Sequence, residues 1–152
     1  MKRIISMLLA VMSVAALTAC GQQKDTAVDA QGLAKALVEK VSFESELTAV
    51  SDEELGYSFQ LPEGCTAAAY MSSGSTAEEV FVIQCKSGDD AAALRASMQE
   101  FLDSQKTEME RYLPAEVDRI NSAIFETYGT CVVLCVTSDT DTARSVIKEY
   151  VK

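Results

Sequence analysis

Phe81-Val82-Ile83-Gln84-Cys85-Lys86-Ser87-Gly88-Asp89-Asp90-Ala91-Ala92 governs the fold because its pattern occurs twice. At a constant offset of 51 it lies over Val132 to Ala143, where Ser87 meets Ser138, Asp90 meets Asp141 and Ala92 meets Ala143. Each copy is the end of an apolar strand, then a turn of helix-capping residues, then the opening of a helix. Glu78 to Cys85 is rich in β-branched and aromatic residues, and Cys65 to Ser72 runs into it through the turn Ser73-Gly74-Ser75-Thr76. Ala123 to Thr127 and Thr130 to Thr137 make a second hairpin across Tyr128-Gly129. A lone hairpin is marginal in water. Two hairpin-helix units can share a four-stranded antiparallel sheet with helices mainly on one face, so an α+β fold is expected.

Beyond the first copy, Leu94, Met98, Phe101, Leu102, Gln105, Met109 and Tyr112 follow a 3.6-residue stripe, which predicts one long helix. Pro114 interrupts it, and Val117 and Ile120 suggest a short helical piece after the proline. Ser138 to Asp141 cap a last helix that faces inward with Ala143, Val146 and Ile147. Before the first hairpin, Asp29 caps an N-terminal helix with Leu33, Leu37 and Val41 on one side. Ser51 and Glu54 have capping-box spacing, Tyr57 to Leu61 reads as extended, and Pro62-Glu63-Gly64 as a turn.

A turn near Ser75 sets residues whose numbers sum to 150 opposite each other. Cys65, Ala67, Ala69, Met71, Phe81, Ile83 and Cys85 then share an apolar face for the helices. Tyr70 and Val82 look to the other face, and the offset adds Cys131, Val133 and Cys135 to it. That second face is semi-apolar. Either the N-terminal helix or the segment near Tyr57 covers it, or Tyr70, Val82, Cys131 and Val133 form an exposed patch for a partner. Cys65 and Cys85 fall opposite each other, within reach of a disulfide or as two packed thiols. Cys131 and Cys135 are about 13 Å apart along one strand, too far to bond each other.

The N-terminus locates the protein. Lys2 and Arg3 precede an apolar run from Ile4 to Leu17 that is too short to span a bilayer, which needs roughly 20 residues. Leu17-Thr18-Ala19-Cys20 resembles a bacterial lipobox, which implies a signal peptide over 1–19 and diacylglycerol on the Cys20 sulfur. An ordinary signal peptide cut nearby is the plainer alternative. Two acyl chains hold a protein to a bilayer where one binds reversibly. Residues 20–28 are then a lipidated tether, and 29–152 a single domain.

Cleavage after Ala19 leaves 11 basic and 23 acidic side chains, a net charge of −12. Such a chain lacks the cations that grip nucleic acid or anionic lipid. The absence of histidine excludes His-dependent triads and His-ligated zinc. Asp89-Asp90 and Asp139/Asp141 lack the twelve-residue calcium loop and stand where helix caps belong. No metal site, cofactor or catalytic residue is expected.

Arg95, Gln105, Tyr112-Leu113-Pro114-Ala115-Glu116 and Tyr128-Gly129-Thr130 carry a further resemblance. The chain from Asp29 to Lys152 is similar to a family of small Gram-positive lipoproteins whose shared domain has no assigned function. The resemblance implies a cell-surface location and supplies no catalytic residue; the four cysteines of the domain are not part of its pattern. The expectation is a lipoprotein on the extracytoplasmic face of the cell membrane. It would be a non-catalytic module for a protein or envelope partner. The alternative is a thiol-based redox protein or other small enzyme at the cell surface.

Overall fold

A computed structural model describes residues 28–151. The signal segment and Cys20 lie outside the described residues, as does the tether up to residue 27. Val28 is already buried in the core. In chain order the elements are α1 (Ala30–Lys40), β1 (Thr48–Val50), α2 (Asp52–Ser58), β2 (Thr66–Met71), β3 (Glu79–Gln84), α3 (Gly88–Tyr112), α4 (Val117–Asn121), β4 (Ile124–Tyr128), β5 (Cys131–Val136) and α5 (Thr140–Tyr150). A single 3₁₀ turn, Pro114–Glu116, joins α3 to α4.

The capping residues do what their chemistry predicts. Asp29 accepts from Gly32 N at 2.9 Å, and Ser87 from Asp90 N at 3.1 Å. Asp139 accepts from Thr142 N at 3.4 Å. Ser51 and Glu54 complete a reciprocal capping box. Gly129, at φ +59°, takes the first place of the two-residue loop Gly129-Thr130, a position that favours glycine.

The strands form one antiparallel sheet in the order β1-β2-β3-β5-β4. Thr66 pairs with Gln84 and Tyr70 with Val80, the register expected from a turn near Ser75. The sheet has five strands rather than four. The addition is β1, three residues at the edge of β2, with Thr48 opposite Met71. Tyr57–Leu61 joins no strand: Tyr57 belongs to α2 and is exposed, while Phe59 turns into the core against Phe81 and Phe101, with ring centroids 5.6 and 5.7 Å away.

The helices do not gather on one face. Phe81, Ile83, Val132, Leu134 and Val136 pack with α3 residues Leu94, Met98 and Leu102. On the other face Val80, Val82, Cys131, Val133 and Cys135 pack with Leu33 and Leu37 of α1 and with Val146 and Ile147 of α5. The reason lies in β5, whose six residues are all buried. A strand that is apolar on both sides needs cover on both. Helices on one side alone would leave Cys131, Val133 and Cys135 in water.

Candidate functional site

The second sheet face is closed. Val82, Cys131 and Val133 have no solvent exposure, and Tyr70 is half-buried against the same cluster. These four residues form no exposed patch; they are the floor beneath α1 and α5. The sequence left open whether the N-terminal helix covers that face, and it does.

Burial governs the thiols. It pushes Cys131 up to about 12. It does the same to Cys135, with the charge of Glu79 adding to the effect. Cys85 also rises to about 12 through burial, then through its contact with Cys65. Thiolate, the reactive form, is scarce at neutral pH in such surroundings. The expected opposition of Cys65 and Cys85 is present: their sulfurs lie 2.7 Å apart as free thiols at the end of the β2–β3 ladder. The Pro62-Glu63-Gly64 turn delivers Cys65 there, with Cys65 N donating to Pro62 O at 3.2 Å.

The most polar buried constellation sits at the opposite end of the sheet. Arg119 of α4 is buried and donates to Glu44 at 2.7 Å and to Glu116. Its Nε donates to Ser138 Oγ at 3.0 Å and lies 3.9 Å from Glu78. Burial works against its charge, and the carboxylates of Glu44, Glu116 and Glu78 overcome that and raise its pKa. Glu78 is fully buried and accepts from Glu44 N at 3.0 Å, Ser45 N at 2.9 Å and Thr76 Oγ1 at 3.1 Å. Glu116 accepts from Ala77 N at 2.8 Å. Three carboxylates surround one guanidinium, so the cluster carries excess negative charge and does not suit an external anion. The cluster clamps the segment after α1 to β3, to α4 and to the turn before α5.

Beside it lies Glu79, the neighbour of Glu78 in sequence but on the α3 face. Burial pushes its carboxyl up to about 8, and Gln105 Nε2, at 3.4 Å, opposes this only weakly. Glu79 Oε1 and Gln105 Oε1 have no partner. Sequence reasoning missed Glu78, Glu79 and Arg119. The available signal was a carboxylate pair at the head of a strand whose next four residues are apolar on both faces. The i,i+3 spacing of Glu116 and Arg119 after Pro114 was a second one.

A family described as a domain of unknown function, DUF4358, matches residues 39–137. The chain belongs to this family. No curated protein and no solved structure matches it. The DUF4358 stretch takes in the whole sheet, the α3 layer, and Glu44, Glu78, Glu116 and Arg119. It leaves out most of α1 and all of α5. In this DUF4358 member the layer over the second face therefore comes from segments that flank the matched stretch.

Proposed function

We propose that this chain is a lipid-anchored, extracytoplasmic binding module, held by two acyl chains on Cys20 and making contact through the free end of α3. The observation that carries the reading is the lipobox-like Leu17-Thr18-Ala19-Cys20 behind a short apolar run. No helix among the described residues is long and apolar enough to cross a membrane.

Geometry gives the reading a direction. The buried Val28 is eight residues after Cys20, so it stays within about 28 Å of the anchor. Gln31 Nε2 donates to Ala67 O at 3.0 Å, so α1 starts where β2 starts. Gln105 lies over Glu79, so α3 ends beyond the opposite edge of the sheet. On this reading the far end of the domain carries Tyr112 and Leu113, which are among its exposed large apolar side chains. Next to them Ser104, Thr107, Glu108 and Arg111 form an exposed polar face of the same helix. Contact there with a protein or envelope component would leave the anchor undisturbed. The high thiol pKa values at Cys85, Cys131 and Cys135 favour binding over thiol catalysis.

The test is a photoreactive residue in place of Tyr112, in cells, with a matched one at Lys35 on α1. A discrete cross-link from position 112 that disappears with Cys20→Ser supports the reading. Equal labelling from both positions, or membrane retention of Cys20→Ser, overturns it.

A further inference from the structure

We infer that Cys65 and Cys85 are a disulfide-forming pair that locks the start of β2 to the end of β3. The setting rests on the export reading above; the pairing does not. The β2–β3 register, extended one step beyond Thr66 and Gln84, sets the two cysteines directly opposite each other. Opposed antiparallel residues have the Cα separation a disulfide needs. Their sulfurs already face each other at 2.7 Å, so a bond between them needs no movement of the strands. The other thiols offer no competing partner. Cys131 and Cys135 lie in the opposite core, with the sheet between them and Cys85.

The two sulfurs differ in access. Cys65 is half-buried and Cys85 is buried. Cys65, as thiolate, attacks one sulfur of a disulfide oxidant; that S–S bond breaks and one oxidant thiolate leaves. Cys85, on losing its proton, attacks the Cys65 sulfur of the mixed disulfide and expels the second oxidant thiolate. The two cysteines lose two electrons and two protons, and the oxidant becomes two thiols. Reduction must reverse this at the accessible Cys65 sulfur and expel Cys85. A thiol with so high a pKa is a poor leaving group, so the bond breaks slowly once made.

The test uses the full chain purified from membranes in detergent and equilibrated in glutathione disulfide. Free thiols are then trapped with a maleimide and the peptides mapped by mass spectrometry. The expected result is a Cys65–Cys85 link, with Cys131 and Cys135 labelled only after unfolding. The oxidised form should melt roughly 10 °C above the reduced one, and Cys65→Ser/Cys85→Ser should melt with the reduced form. Glutathione on Cys65 alone, or both thiols unlinked, overturns the pairing whatever the compartment. A link in buffer but free thiols in protein trapped in whole cells upholds the pairing and overturns export.

Discussion

Glu79 is the residue whose environment departs furthest from its ordinary chemistry. An exposed glutamate titrates near 4.3; here burial raises the carboxyl to about 8. Between those values the folded chain holds a proton that the unfolded chain has released, so stability falls as pH rises. The loss is of the order of a few kcal/mol across that window. A proton on Glu79 also turns one of its oxygens into a donor, beside a Gln105 oxygen that has no partner. Urea unfolding from about pH 5 to about pH 8 should show wild type losing stability while Glu79→Gln stays level. A parallel slope in both would refute a protonated Glu79. Carboxyls with lowered pKa values, such as Glu126, held down by Tyr128 and then Arg144, act below this window and do not blur it. Arg119 makes the opposite case, a charge that is needed. Arg119→Met leaves Glu78 and Glu116 buried without their cation and should cost about 3–5 kcal/mol. A loss under about 1 kcal/mol would mean that the cluster is not a clamp.

At the scale of elements, α3 is two things in one helix. Its 25 residues span about 37 Å, while the six-residue β3 beneath it spans roughly 20 Å. Leu102 is buried in the core, and Tyr112, on the same apolar stripe, is exposed. Leu102→Ala should therefore cost about 2–5 kcal/mol and Tyr112→Ala no more than about 0.5. Equal costs, read from urea midpoints, would mean that α3 is covered along its length. The same contrast shows what the amino acids disclosed. The β2–β3 pairing was legible because Ser73 to Thr76 fixes the turn, and the helix starts were legible because Asp29, Ser51, Ser87 and Asp139 are caps. β1 was not, because Thr48-Ala49-Val50 is too short to carry a period. The placement of α5 was not, because Cys131 to Val136 is apolar on both faces and alternation no longer says which side faces in. The Arg119 cluster joins residues up to 94 positions apart, from Glu44 to Ser138, and local spacing cannot reveal such a meeting.

For the whole molecule, both faces of the sheet are spent on the protein's own helices. Any partner must therefore meet the outer sides of the helices, the sheet edges, the loops or the free end of α3. The described chain enters this arrangement at the buried Val28, just before α1, whose start lies against the end of the sheet where β2 begins. The intact mass of the protein isolated from its native membranes tests this account most directly. It should correspond to a chain that begins at Cys20 and carries diacylglycerol on the sulfur. A chain that still contains residues 1–19, or a bare thiol at Cys20, would contradict it.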